Sequence, residues 1–220
     1  MTGTGDLVRR AASVLGVPES TVRSRVMLLR KEALWSSEGR GKSANPAPSD
    51  ASNLLLSFLG GGLVTKAAET VRMIRCCQHI LNFRDQKSLP PVNLFADLGL
   101  DHTLGEMLDA VFEKWSDRGP ISDATGGPIT DAYLFVERYR QGWEAELLLK
   151  DSNAQWEVHY EFLGPRGRVA VPFPKDDGGD LFTSARVTKT TFSALAKCLS
   201  GRTPNSKNYP ARADRGKRRK

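Results

Sequence analysis

Basic and hydroxyl side chains recur at helical spacing in the stretch GVPESTVRSRVMLLRKEAL, residues 16–34. At about 100° per residue, its apolar side chains fall in one narrow stripe, which we expect to face a core: Val22, Val26, Leu29 and Ala33. A second face then points away from the core, with these members: Arg23, Ser24, Met27, Arg30 and Lys31. An arginine on such a face can bind guanine through two hydrogen bonds in a major groove, while neighbouring cations bind phosphate. These residues therefore predict recognition of double-stranded DNA.

A helix, a short turn and a second helix are expected to position this face. LVRRAASVLG has apolar residues at roughly helical spacing, and Gly16 is placed where a glycine ends a helix. Pro18 follows where a new helix can begin. In a helix-turn-helix, two closely crossing helices need a small residue in the first helix and aliphatic residues on the inner face of the second. Ala12 and the stripe that begins at Val22 meet these requirements.

The same stretch, followed by WSSEGRGKS, resembles the winged helix-turn-helix of bacterial transcription regulators. Their pattern LG-x-x-x-S-T-V-x-x-R-V-x-x-L-x-x-x-x-L leads into a glycine-tipped wing, and the helix after the turn is the recognition helix. The resemblance covers about 45 of the 220 residues. It departs from the family at Pro18, where Ser or Thr is usual, and in the short, polar wing strands. DNA contacts implied by the resemblance are Ser20, Thr21, Arg23, Ser24 and Arg30 on the helix, and Arg40 and Lys42 on the wing.

The formal net charge of +7 is concentrated at the two ends of the chain. Residues 202–220 contain eight basic side chains and one acidic one, residues 1–48 have a net charge of +4, and residues 49–201 one of −4. Positive ends of this kind are typical of chains that bind a polyanion. Auxiliary phosphate contacts are therefore predicted in the tail: Arg215, Lys217, Arg218, Arg219 and Lys220. An equally good interpretation is a solvated terminal charge run that aids solubility.

The remaining pattern predicts an α+β fold. Helices are expected in SDASNLLLSFLGGG, in TKAAETVRMIRCCQHIL and in TLGEMLDAVFEKW, where Thr103 and Glu106 have the spacing of a capping box. An antiparallel meander is predicted from three runs of alternating polarity, AYLFVERYR, WEAELLLKD and AQWEVHYEFLG. Two further strands are predicted in GRVAVPF and DLFTSARVT, and a last helix in KTTFSALAKCLSG. Four regions follow. They are a DNA-binding domain at residues 1–45, a linker with helices at 46–130, a sheet with its terminal helix at 131–201, and a disordered basic tail at 202–220. The part beyond the wing also resembles uncharacterised prophage proteins, which implies no chemistry.

Residue patterns of catalysis, metal binding and cofactor binding are missing. Cys77 and His79 would lie on different sides of a helix, and we expect no second metal ligand near His102 or near His159. We predict buried or half-buried reduced thiols, structural histidines and a solvated turn at DDGGD. No enzyme activity, metal or cofactor is expected.

Two functions remain open from the sequence. The first is a sequence-specific transcription regulator of bacterial or prophage type, expected to be a homodimer because short recognition helices gain specificity by contacting two half-sites. The second is a packaging or recruitment adaptor that binds DNA without sequence preference or binds protein, the helix pair then being a hairpin for protein contacts. In both, the α+β region is a candidate surface for a protein partner. No apolar run approaches the roughly 20 residues that cross a bilayer, so a cytoplasmic protein without membrane contact is expected.

Overall fold

A computed structural model of the chain describes residues 3–36, 45–61, 64–80, 98–99, 101–118, 129–139, 142–150, 155–162 and 183–199. The N-terminal half of this described part is mostly helical. Its α-helices are α1 (Thr4–Leu15), α2 (Glu19–Lys31), α3 (Pro48–Leu59), α4 (Ala67–Arg75) and α5 (Leu104–Arg118). A 3₁₀ turn at Val64–Lys66 precedes α4, and α6 (Lys189–Ala196) follows the last strand.

A five-stranded antiparallel sheet forms the second layer. Its strands are β1 (Gln78–Ile80), β2 (Asp131–Tyr139), β3 (Gly142–Lys150), β4 (Gln155–Glu161) and β5 (Thr183–Thr188), and their order across the sheet is β1-β4-β3-β2-β5. β2, β3 and β4 form the meander that their alternating sequence predicts. The predicted α+β class, with N-terminal helices, an antiparallel sheet and a last helix, is confirmed.

Strand β1 corrects the sequence prediction, which extended the preceding helix to residue 81. The helix ends at Arg75, and Gln78–Ile80 pairs with Glu161, Tyr160 and His159 at the edge of the sheet. The other side of this short strand is also bonded, since the His79 amide donates to the carbonyl oxygen of His102 over 3.2 Å. Pairing over such a sequence separation overrides the local helical period. The predicted strand GRVAVPF lies outside the described residues.

Alternation along each strand divides the sheet into an inner and an outer face. Inner side chains of the central strands are buried, among them Leu134, Leu147 and Val158. Helix α3 contacts strand β5 of the sheet, α4 contacts β3, and α6 contacts β2. On the outer face the corresponding side chains are polar or only half-buried, as the alternating sequence predicts.

One apolar core joins the N-terminal helices to the sheet layer. It extends from Leu7 in α1 to Leu199 after α6. Helix α1 packs against α6, and the aromatic rings of Phe112, Trp115 and Phe192 lie between α5 and α6, with centroids 5.6–5.9 Å from the Phe192 ring. The predicted boundary after residue 45 stays a prediction. No helix in the described part of the chain is long and apolar enough to span a membrane.

Candidate nucleic-acid interface

Helices α1 and α2 are joined by a three-residue turn, as the sequence predicts. Gly16 has φ 65°, a left-handed conformation that glycine adopts without the steric cost of a side chain. The Val17 amide donates to the Ala12 carbonyl oxygen over 3.1 Å, which closes the end of α1. Pro18 directly precedes α2, and its carbonyl oxygen accepts the Thr21 amide over 3.0 Å. The proline therefore begins the second helix without a side-chain cap.

The inner face of α2 is buried at Val22, Val26 and Leu29, as predicted. Ala33 is the exception, because α2 ends at Lys31 and Ala33 is exposed with φ 56°. The Ala33 amide donates to the Arg30 carbonyl oxygen, and the Leu34 amide to that of Leu29 over 2.8 Å. This is the Schellman arrangement, in which the residue after the cap is left-handed. The prediction that Ala33 faces the core was wrong, since a helical period does not extend past a helix end.

The outer face of α2 presents most of the predicted contact residues to solvent. Its exposed members are Ser20, Arg23, Ser24, Met27, Arg30 and Lys31. Thr21 is half-buried and lies off this stripe. Met27 is 71% exposed and is the one exposed large apolar side chain among the described residues. The outer face thus combines cations, hydroxyls and one solvent-exposed thioether.

Several of these side chains already have weak local partners. Arg23 pairs with Glu19 one turn earlier, at 3.2 Å between Nη2 and Oε2, and both side chains are about half exposed. The Ser24 hydroxyl donates to the Ser20 carbonyl oxygen over 3.0 Å. The Arg30 guanidinium lies 5.9 Å from the Trp35 ring centroid. An exposed i,i+4 ion pair contributes only about 0.3–0.5 kcal/mol, so Arg23 can exchange its partner at little cost.

Arg25, which is not among the predicted contact residues, lies on the inner face and is 7% exposed. Its Nη1 donates to the carbonyl oxygen of Ser57 in the last turn of α3, and its guanidinium stacks 4.5 Å from the Phe58 ring centroid. Burial lowers the pKa of this guanidinium. A cation at a helix C-terminus is favourable there. Position 25 fits the i, i+3, i+4 and i+7 spacing of the buried stripe, which was the signal available in the sequence.

The two ends of the segment that contains Arg40 and Lys42 are held by one buried carboxylate. Asp50 accepts the Ser36 amide over 2.7 Å on one side and the Ala47 amide over 2.7 Å on the other. Residues 37–44, and with them Arg40 and Lys42, lie outside the described residues, as does the basic tail. Residues 3–36 and 45–61 contain no strand, so a wing is not part of the described N-terminal region.

A polar network holds the C-terminal end of α2 against the following helices. The Asn53 amide group donates to the Leu34 carbonyl oxygen over 2.6 Å and accepts Arg75 Nη1 over 2.9 Å. Arg75 then binds Asp109 through two parallel hydrogen bonds of 3.1 and 2.7 Å. Such bidentate pairs are geometrically specific. The orientation of α2 is therefore coupled to α3, α4 and α5.

The histidines and cysteines are placed partly as predicted. His102 is buried between the Gly99 carbonyl oxygen (2.7 Å from Nδ1) and the Tyr160 hydroxyl (2.8 Å from Nε2), and His79 stacks on it with centroids 4.8 Å apart. Cys77 and Cys198 are buried and form no disulfide within the described residues, whereas Cys76 is exposed, contrary to the prediction. The structure also corrects the expectation that His159 has no second ligand nearby, since strand pairing places two glutamates beside it.

Comparison with known proteins gives no match: no protein-family model, curated protein or solved structure is significantly similar to the chain.

Proposed function

We propose that the chain is a non-enzymatic, DNA-binding transcriptional regulator of bacterial or phage type, with α2 as the recognition helix in a major groove. The observation that supports this best is the division of α2 into a buried aliphatic side and an exposed side with basic, hydroxyl and thioether groups. The exposed side carries its cations and hydroxyls on one stripe, where side chains that contact phosphates and base edges would have to lie. Arg30 and Lys31, in the last turn, belong to no ion pair within the described residues.

The energies favour DNA contact over the local contacts that α2 makes. A bidentate contact between arginine and guanine discriminates against the wrong base by about 1–3 kcal/mol. The Glu19 pair that Arg23 would lose is worth less than about 1 kcal/mol at such exposure. Exchange of partners by Arg23 is therefore favourable at a cognate base. Met27, at the centre of the stripe, would supply an apolar contact to a thymine methyl group.

Further contacts are proposed from the parts of the chain that flank this helix. Arg40 and Lys42 would bind adjacent phosphates, in a wing or in a loop whose ends Asp50 holds. The basic tail, with Arg215, Lys217, Arg218, Arg219 and Lys220, would add attraction without sequence preference. A homodimer would let two copies of α2 contact two half-sites. The α+β region is the candidate surface for dimerisation or for a protein partner.

Binding of the full chain to a pool of random-sequence DNA duplexes, titrated at several salt concentrations, tests the DNA-binding step. The test variant is Arg23→Ala/Arg30→Ala. The matched control is Arg138→Ala/Arg186→Ala, which removes the same charge from exposed positions on the sheet. We expect salt-sensitive binding that the α2 variant weakens by at least about tenfold and the control by less than about threefold. No salt-sensitive binding, or equal losses in the two variants, would contradict the proposal.

The alternative is an assembly adaptor of the packaging or recruitment type, and the exposure of Met27 favours it. A solvent-exposed methionine between polar neighbours is typical of adaptable protein-binding surfaces. The two functions differ in sequence preference. An adaptor would bind all DNA sequences with the same affinity. Arg23→Ala/Arg30→Ala would then leave this lack of preference unchanged and make the dependence of affinity on salt shallower.

A further inference from the structure

Three potential metal ligands meet on the outer face of the sheet, on the hairpin of β3 and β4. Glu146 lies directly opposite His159 in the register of the two strands. Glu157 is two residues before His159 and therefore on the same face. Two carboxylate oxygens and one imidazole nitrogen, one atom from each side chain, all lie within 4.8 Å of one another. Glu146 and His159 are half-buried and Glu157 is exposed, so an ion can reach the group from solvent.

We propose that Glu146, Glu157 and His159 bind a divalent transition-metal ion, with Zn²⁺ preferred over Mg²⁺. This site goes beyond the proposed DNA-binding function and does not depend on it. The imidazole nitrogen determines the preference, because nitrogen ligands suit Zn²⁺ and its neighbours in the first transition row, whereas Mg²⁺ takes oxygen ligands and keeps most of its waters. Three protein ligands leave at least one coordination position to water.

The distances are compatible with binding after a small side-chain adjustment. In a tetrahedral site, Zn–N and Zn–O bonds of about 2.0–2.2 Å place two ligands of one ion roughly 3.3–3.6 Å apart. The present separations of up to 4.8 Å exceed this by at most about 1.5 Å. Rotation about the side-chain torsions of Glu157 and Glu146 can close the gap without moving the strands. The backbone thus fixes which residues meet, and the rotamers complete the coordination.

The surrounding charges also favour a bound cation. Glu144 and Glu161 face each other one register step away on the same surface, and like charges in directly opposed strand positions are destabilising. Within the described residues, Glu146, Glu157 and His159 belong to none of the ion pairs. The flanking positions are Phe135 on β2 and Ile80 on β1, neither of which is charged.

The basic side chains described on this face, Lys150 and Arg186, do not lie directly opposite any of the three ligands. Lys150 lies diagonally beyond Glu157, whose carboxylate instead accepts a 3.0 Å hydrogen bond from Gln155. Arg186 is two strands away from Glu146 and lies over the rings of Tyr133 and Phe135. Since no basic side chain of the described residues forms an ion pair with Glu146, Glu157 or His159, a divalent cation would supply positive charge at this group.

Calorimetric titration of the full chain with Zn²⁺, and separately with Mg²⁺, tests the site. The parent protein is Cys76→Ser, because the exposed thiol is the obvious competing zinc ligand. We expect one Zn²⁺ per chain and much weaker Mg²⁺ binding. His159→Gln and Glu146→Gln should each lower Zn²⁺ affinity by at least about tenfold. Glu161→Gln, a control on the same face, should lower it by less than about threefold, as expected for a charge that is not a ligand.

A second readout keeps the test independent of small folding defects. Zn²⁺ should raise the thermal unfolding temperature of the parent and of Glu161→Gln, but not that of His159→Gln. Absence of saturable Zn²⁺ binding would overturn the proposal. Stoichiometric binding that survives His159→Gln would place the ion elsewhere, and equal weakening by all three variants would mean only diffuse attraction to an acidic face. Either result would also overturn it.

Discussion

Arg23 and Arg25 are two residues apart on α2 and lie on opposite sides of it. Arg23 is exposed and pairs with Glu19, whereas Arg25 is buried against the last turn of α3. Arginine is rarely fully buried unless its charge is paired or hydrogen-bonded, and Arg25 meets this condition by donating to the Ser57 carbonyl oxygen. The same residue type therefore serves a surface at one position and the core at the other.

Replacement of Arg25 by alanine should destabilise the fold, because the Ser57 carbonyl oxygen loses its donor and Phe58 loses the stacked guanidinium. We expect a loss of about 1–3 kcal/mol in the free energy of unfolding, measured by urea denaturation. Arg23→Ala, the matched control, should change this free energy by less than about 0.5 kcal/mol. Equal effects of the two substitutions would contradict the assignment of Arg25 to the interior.

The three thiols should differ in reactivity. Burial, followed by the neighbouring Cys76, raises the pKa of Cys77 to about 12, and burial also raises that of Cys198. Because the thiolate is the nucleophile, we expect an aromatic disulfide reagent to label the exposed Cys76 of the native chain rapidly. After unfolding it should label all three thiols. Cys76→Ser should abolish the rapid phase, and Cys198→Ser should leave it unchanged. Rapid labelling of two or more native thiols would show that the burial is wrong.

The helical periodicity of the sequence predicted most of the exposed face of α2 but not the burial of Arg25. Charged residues are assigned to the surface by default, so position 25 was left out although it fits the apolar stripe. The group around His159 could not be predicted either. Glu146 and His159 are thirteen positions apart, and only the register of β3 against β4 brings them together.

Helices α1 and α2 both end in a residue of left-handed conformation, but the residue types differ. Gly16 adopts it after α1, and Ala33 adopts it after α2. An alanine in this region has an unfavourable contact between its Cβ and the carbonyl oxygen, at a cost of roughly 1–2 kcal/mol.

Exchanging the two residue types gives opposite predictions. Ala33→Gly should raise the free energy of unfolding by about 0.5–1 kcal/mol, less than the steric cost because glycine gains freedom in the unfolded chain. Gly16→Ala should lower it by about 1 kcal/mol, from backbone conformation alone, since no described atom lies within 4 Å of the added Cβ. Differential scanning calorimetry measures both. Destabilisation by Ala33→Gly would contradict the described end of α2.

Helices with strong end signals were predicted well, whereas an element that depends on distant pairing was not. Thr103 and Glu106 form the expected capping box at the start of α5, with Glu106 accepting the Thr103 amide over 2.8 Å and donating its own amide over 3.2 Å. In contrast, β1 follows α4 after only two residues and is held by β4, which lies about eighty positions later. A local period cannot report such pairing.

A buried histidine joins the helical layer to the sheet. His102, just before α5, bonds to Tyr160 of β4 through Nε2 and to the Gly99 carbonyl oxygen through Nδ1. Since a carbonyl only accepts, Nδ1 must donate, and in the neutral ring Nε2 then accepts from the Tyr160 hydroxyl. Burial lowers the pKa of His102 below its ordinary value, which keeps the ring neutral.

This histidine predicts how stability depends on pH. Between its unfolded pKa of about 6.5 and its lower folded pKa, the unfolded chain binds a proton that the folded chain does not. The contribution of His102 to folding stability is therefore complete above about pH 6.5. It is lost as the pH falls from there to the folded pKa. The free energy of unfolding, measured by urea denaturation, should fall more between about pH 7.5 and about pH 5.5 in the wild-type chain than in His102→Gln. Equal losses would contradict a neutral, buried His102.

Selection of bound duplexes from a random DNA pool measures whether α2 recognises a particular DNA sequence. The full chain should enrich a defined sequence, with two half-sites about one helical turn apart if the chain binds as a homodimer. Arg23→Ala/Arg30→Ala should lose that enrichment, and Arg138→Ala/Arg186→Ala should keep it. A pool that shows no sequence preference after repeated selection, or one enriched equally by the α2 variant, would contradict the role of α2 as a recognition helix.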